Sequence, residues 1–133
     1  MTVVDTSAVV AIFSMEAEGS AMLDFVSANR ILMSAGTYLE ASIVLARLKL
    51  SDPHETDAWL DEFIGKSGVD IVAVTAEHAR LARAAYQQYG KGTGHPAQLN
   101  FGDCFAYALA KAMDVPLLYK GDDFARTDIA SAL

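Results

Sequence analysis

The 133-residue chain holds a single cysteine, Cys104, and only ten basic residues against seventeen acidic ones. One thiol excludes an intrachain disulfide and any metal site built on two thiolates, and it agrees with a reducing compartment. Cys104 is therefore expected as a small buried hydrophobe. No apolar run approaches the roughly 18 residues that a membrane span needs. The opening Met1-Thr2-Val3-Val4 reaches Asp5 without a basic stretch, so a soluble cytoplasmic protein with no membrane partner is expected. His54, His78 and His95 stand apart from one another and from Cys104, which argues against zinc. Repeats, low-complexity tracts and linkers are missing too. With 53% hydrophobic residues, residues 1–133 can bury a core as one domain.

The shortage of positive charge bears on partners. A net charge of −7 runs against the basic excess that phosphate binding usually displays. Setting four of the acids aside in one metal pocket leaves −3 on the rest, and a bound dication offsets the pocket itself. Tight, nonspecific polyanion binding is excluded; local contact with a nucleic acid is not.

Along the chain, strand and helix patterns alternate. Thr2-Val3-Val4 is a β-branched run that ends at Asp5, and Ser7 to Phe13 reads as a helix. A second helix is expected over Gly19 to Ala28 and a strand at Ile31-Leu32-Met33. Apolar spacing predicts a helix from Tyr38 to Leu50, which places Glu40 in its first turn, and Pro53 opens another helix anchored by Trp59, Phe63 and Ile64. Asp70 to Val74 reads as a strand, Thr75 as the cap of an Ala-rich helix running to about Tyr89, and Gly102 to Met113 as a further helix with Asp103 near its start. Val115 to Tyr119 is the last strand. This alternation predicts an α/β fold with a parallel sheet covered on both faces. Ligands of such sheets sit at the carboxyl ends of the strands, where Asp5, Asp122 and Asp123 fall.

Four acids thus occupy element ends. Asp5 follows an apolar strand, where an unpaired carboxylate is expensive, and its sequence neighbours offer no Lys or Arg. A metal or a helix N-terminus remains as counter-charge. Mg²⁺ suits the first case: it prefers hard oxygen ligands, keeps several waters and needs only one or two direct carboxylates. Such an ion activates water and stabilises charge on phosphate oxygens, so no Ser, Cys or His nucleophile is required. Taken one at a time, the same acids also read as an N-cap at Asp5, helix-dipole partners at Glu40 and Asp103, and a turn at Asp122-Asp123.

Four stretches, Val4-Asp5-Thr6-Ser7-Ala8, Tyr38-Leu39-Glu40-Ala41, Leu99-Asn100-Phe101-Gly102-Asp103-Cys104-Phe105-Ala106-Tyr107 and Leu117-Leu118-Tyr119-Lys120-Gly121-Asp122-Asp123-Phe124, resemble in order and spacing those of the VapC toxins. These are PIN-domain endoribonucleases of bacterial type II toxin–antitoxin pairs. The resemblance implies a three-layer α/β/α sandwich, cleavage of RNA dependent on Mg²⁺ or Mn²⁺, a homodimer, and neutralisation by a cognate antitoxin that inserts a segment toward the acidic pocket. Asp5, Glu40 and Asp103 match the family's metal-binding and catalytic acids. Lys120-Gly121 stands where many relatives have an acid, so the fourth is Asp122 or Asp123, with Asp122 favoured. Thr6, Ser7 and Asn100 are implied to contact substrate.

Other patterns are weaker. Gly90-Lys91-Gly92-Thr93-Gly94 fails the spacing of a phosphate-binding P-loop and reads as a loop, which can bring Lys91 or His95 to RNA. Arg80, Arg83, Gln87 and Lys91 recur at helical spacing as a basic stripe. Tyr86, Tyr89, Phe101, Phe105 and Tyr107 are expected in the core or a dimer interface. Two rival functions are an aspartyl-phosphate phosphotransfer protein using Asp5 and Lys120, and a non-catalytic acidic module for a basic partner. The first ordinarily carries a second Asp two places after the first, where this chain has Ser7.

Overall fold

Four short apolar runs pair side by side in a computed structural model that describes residues 1–49 and 52–133. They are β1 (Thr2–Val4), β2 (Ile31–Ser34), β3 (Asp70–Val72) and β4 (Leu117–Leu118), all parallel in the order β3-β2-β1-β4. Parallel neighbours need long crossovers, and helices supply them. These are α1 (Thr6–Phe13), α2 (Gly19–Ala28), α3 (Ala35–Lys49), α4 (Pro53–Ser67), α5 (Ala76–Tyr89) and α6 (Phe101–Met113). No helix among the described residues is long and apolar enough to cross a membrane.

Strand alternation divides the core in two. Val3, Leu32 and Leu117 point to one face and pack with Ala85, Leu99 and Leu109 from the α5–α6 side. Val4, Ile31, Met33 and Leu118 point to the other, against Val9 of α1, Val26 of α2, Leu45 of α3 and Leu60 of α4. The outcome is the expected three-layer α/β/α sandwich. Trp59, Phe63 and Ile64 anchor α4 to the core as expected, and Trp59 and Phe63 stack in parallel with Phe13 edge-on.

Strand order also locates the site. From β1 the chain crosses to β2 on one side, and it later returns through α6 to β4 on the other. The crevice at the carboxyl ends of β1 and β4 is the topological switch point of the sheet. Asp5 follows β1 there, and Tyr119-Lys120-Gly121 follows β4.

Several boundaries differ from those expected. The third helix begins at Ala35, not Tyr38, because the Ser34 hydroxyl accepts the Gly36 N–H at 3.2 Å and caps the turn. Glu40 therefore lies in the second turn, not the first. The expected end of this helix at Leu50 lies outside the described residues. β4 is shorter than expected since Val115 belongs to the stop of α6: Asp114 takes a left-handed φ of 53° and the Val115 N–H bonds back to the Ala110 carbonyl at 3.0 Å. The first helix starts at Thr6 and the last at Phe101, one residue earlier than expected in each case.

Residues 130–132 lie along the outer side of β4. Leu117 N–H donates to Ala130 O at 2.9 Å, and Ala132 N–H to Leu117 O at 3.0 Å. Asp128 anchors this segment to α6, accepting from Tyr107 Oη at 2.5 Å and from Lys111 Nζ at 2.8 Å.

Leu45 is fully buried between the sheet and α4. Leu45→Ala is expected to lower the unfolding free energy by about 2–5 kcal/mol in urea denaturation, as cavity-forming core substitutions do; a loss below about 1 kcal/mol would contradict this packing.

Candidate active site

Asp5 caps α1. Its Oδ2 accepts the Ser7 N–H at 2.9 Å, while Oδ1 is buried with no partner among the described residues. The residue is 2% exposed. A carboxylate half-satisfied in this setting carries a desolvation penalty that the capping bond does not offset. Burial, then the charges of Asp103 and Glu40, outweigh the Ser7 bonds and push its pKa up to about 7.

Asp103 reaches the same place from α6. It forms a capping box with Asn100: Asp103 N–H donates to Asn100 Oδ1 at 2.8 Å, and Asn100 N–H to Asp103 Oδ2 at 3.0 Å. Burial raises the Asp103 pKa to about 6, opposed by the Asn100 N–H and reinforced by Glu40 and Asp123. Glu40 arrives from α3, its Oε1 accepting from Thr6 Oγ1 at 2.5 Å. Ser7 Oγ accepts the Lys120 N–H at 2.9 Å, which ties α1 to the end of β4.

These groups line a cleft of about 400 Å³ that contains Asp5, Thr6, Ser7, Glu40, Asn100, Asp103 and Lys120. Asp122 and Asp123 lie in the adjoining cavity, which Asn100 also lines. Of the two, Asp123 is the one whose charge is felt at Asp103. Lys120 is the only lysine or arginine on the cleft wall among the described residues, and its Nζ pairs with Glu16 and, at 3.4 Å, with Glu18. The acids are thus left without a protein counter-charge at close range.

Two residues that the sequence reading assigned no role of their own shape the cleft. A Cβ on Gly102 would lie 1.4 Å from Glu40 Oε2, so only glycine lets the glutamate rest on the start of α6. A Cβ on Gly36 would meet the Phe105 ring at 2.5 Å, so glycine also sets how closely α3 approaches α6. A glycine inside the first turn of a helix is the signal that could have identified both, since it lowers helix propensity without a local benefit. The run Arg80, Arg83, Gln87 and Lys91 does not form one helical stripe, because α5 ends at Tyr89 and Lys91 lies in the following loop. Cys104 is buried, donates to Asn100 O at 3.3 Å, and has its thiol pKa pushed up to about 11 by burial, as an inert thiol does.

Among the described residues, no three His, Cys, Asp or Glu side chains close into a ready-made ion cage. Asp5, Glu40 and Asp103 each commit one oxygen to a protein donor. What remains is a set of hard oxygen donors, among them an orphaned buried Oδ1, around open space. That set fits Mg²⁺, which retains waters and accepts one or two direct carboxylates.

A family model described as PIN domain matches residues 2–130. The chain belongs to the PIN-domain family, in its VapC branch. Ribonuclease VapC30 of Mycobacterium tuberculosis is 49% identical over 131 residues, covering 97% of this chain and 96% of the relative. Among solved structures, this PIN domain is similar to Mycobacterium tuberculosis VapC20, a sarcin-ricin-loop-cleaving toxin, with a TM-score of 0.75 at 16% identity over 99% and 98% of the two chains. It is similar also to a chain of a toxin–antitoxin complex from Klebsiella pneumoniae, with a TM-score of 0.66 at 20% identity over 94% and 91%. These two likenesses concern the fold.

The raised pKa values have a consequence for stability. A group that holds its proton more tightly when folded supports the fold at low pH and loses that support as pH rises. For Asp5 the loss runs from about 4 to about 7, with an upper bound of roughly 4 kcal/mol at 1.36 kcal/mol per pH unit. Without divalent metal, the melting temperature of this PIN domain is expected to fall across that window, and Asp5→Asn to flatten the profile and raise stability at pH 8. A variant no more stable than the parent at pH 8 would contradict the buried, half-satisfied Asp5.

Proposed function

We propose that the chain is a divalent-metal-dependent endoribonuclease toxin that hydrolyses RNA phosphodiester bonds. One observation carries the reading: the unpartnered, buried Oδ1 of Asp5 shares a cleft with Asp103 and Glu40 and has no cation to answer it. Relatives named as ribonucleases at 49% and 47% identity support it.

Asp5, Asp103 and Glu40 would hold Mg²⁺ or Mn²⁺, with Asp123 in preference to Asp122 as the fourth carboxylate, since its charge reaches Asp103. When bound, the ion supplies a stronger water nucleophile and positive charge for the phosphate oxygens. The protein's own groups do the positioning. Ser7 N–H fixes the rotation of the Asp5 carboxyl through Oδ2 and leaves Oδ1 without a protein partner among the described residues. Thr6 holds one Glu40 oxygen and leaves the other lying over Gly102. The Asn100 capping box fixes Asp103 in the same manner, and the Asn100 amide N–H groups can donate to substrate, as can the hydroxyls of Thr6 and Ser7.

Partners follow from the same reading. A cognate antitoxin neutralises the enzyme, supported by the likeness to a chain of a solved toxin–antitoxin complex, and a basic segment suits this acidic cleft. The enzyme acts in the cytoplasm as a homodimer. Exposed Phe101 lines an apolar groove with Tyr86 and Phe105, and together with exposed Leu39 and Ile43 on α3 it offers that dimer apolar surface. The phosphotransfer alternative needs Lys120 at the acid, whereas Glu16 and Glu18 engage it.

Purified protein is expected to cut RNA with Mg²⁺ or Mn²⁺, to stop in EDTA, and to lose activity by two orders of magnitude or more on Asp5→Ala or Asp103→Ala. Cutting that persists in EDTA would defeat the metal mechanism. Protons compete with metal for Asp5 and Asp103, so metal affinity by calorimetry is expected to tighten as pH climbs through about 6 to 7; affinity that is flat over that range would speak against these two ligands. Gly102→Ala is expected to displace Glu40 and cut the rate at least about tenfold while the chain stays folded by circular dichroism. Full activity in that variant would remove Glu40 from the site.

A further inference from the structure

The acidic cleft is the head of a longer groove. It meets a second cavity of about 440 Å³ at Asn100, and that cavity continues through Lys91, Pro96 and Gln98 into a third of about 420 Å³ that reaches His95. The walls of this extension differ in charge from the cleft: Asp122 and Asp123 are accompanied there by two cations, and no acid lines the third cavity among the described residues. Arg30, Lys66, Lys111 and Lys120 are engaged in ion pairs. Lys91 and Arg126 have no carboxylate partner among the described residues, and both line the groove.

The loop that carries Lys91 is built to hold its place. Lys91 N–H donates to Leu99 O at 2.8 Å, Leu99 N–H to Tyr89 O at 2.9 Å, and Tyr86 Oη to Lys91 O at 3.2 Å. Arg126 reaches the same loop, its Nη1 donating to Pro96 O at 3.4 Å. Gln98 has a φ of 50°, a left-handed conformation rare for a residue with a side chain, and it is held there between fully buried Ala97 and Leu99. Such strain costs on the order of 1 kcal/mol and is kept where the surroundings enforce it, most often at functional sites. Here it presents an amide to the groove.

We propose that this groove seats the single-stranded RNA segment next to the scissile phosphate, with Lys91 and Arg126 on backbone phosphates and Gln98 on a base edge. The inference rests on the ribonuclease reading and adds a direction to it. On the opposite rim Glu16 and Glu18 neutralise Lys120, so the strand leaves the acids on the Lys91–Arg126 side. Two cations without a carboxylate partner among the described residues, in one groove of a net acidic chain, fit local phosphate contacts, and the Gln98 and Asn100 amides beside them fit an unstacked strand more than a duplex.

The test uses the full chain, Mg²⁺ and an unstructured RNA oligonucleotide. Lys91→Gln and Arg126→Gln are each expected to raise KM roughly threefold to tenfold, more than they lower kcat. Each should also reduce the salt slope of RNA binding by about 0.7, the value for one lost phosphate contact on a single strand. Arg80→Gln removes the same charge outside the groove and should leave the slope unchanged. Gln98→Gly relieves the backbone while deleting the amide, so cleavage is expected to fall although the melting temperature holds or rises. A fold defect would move both the same way. Parental KM and salt slope in both charge variants would overturn the proposal. If the parent binds RNA with the expected slope but never cuts it, the nuclease reading fails while the groove stands.

Discussion

The structure depends on how one buried carboxylate is divided. Asp5 gives one oxygen to the start of α1 and leaves the other without a partner beneath the crevice where the sheet changes direction. The capping oxygen fixes where the first helix leaves the first strand. The second oxygen is a standing electrostatic deficit, and the neighbours enlarge it: Asp103 and Glu40 are brought in from α6 and α3, while the nearest lysine is held by Glu16 and Glu18. A fold optimised for its own stability would place a cation or a hydrophobic residue there. This one keeps a buried carboxylate oxygen that nothing among the described residues neutralises.

That division lets two readings of the acids, which compete on paper, coexist in space. Asp5 and Asp103 each fulfil the capping role that a purely structural interpretation assigns, through one oxygen apiece. Capping does not use up a carboxylate. It orients the remaining oxygen, and the helix N-terminus then serves as the jig that aims it. Glu40 is the exception, lying one turn inside its helix and pinned by Thr6 instead.

The layered α/β fold was legible because alternation between Val3 and Val4, or between Ile31 and Leu32, is carried by side chains whose burial has a simple period. The acids at Asp5 and Asp103 were legible for a related reason, since a charge at the end of an apolar strand or in a first turn stands out against its surroundings. Less was legible where a residue acts through what it lacks. Gly36 and Gly102 matter because of atoms belonging to Phe105 and Glu40, far away in the chain, and no local pattern announces such a partner. The choice between Asp122 and Asp123 was unreadable too: adjacent residues in a loop with Gly121 at a φ of 103° can face either way, and no local pattern says which charge is felt at Asp103.

The pairing of residues 130–132 with β4 gives the sheet two unlike borders. On that side the backbone donors and acceptors of Leu117 are already taken by the chain's own segment, so an incoming strand finds nothing to bond. The β3 border has no such cover among the described residues, and it carries exposed Asp70 and Ile71 with Arg30 paired to the former. Unwanted strand addition, the usual hazard of an open sheet, is thereby confined to a single margin, and there the charge of Asp70 and the brevity of a three-residue strand stand against it.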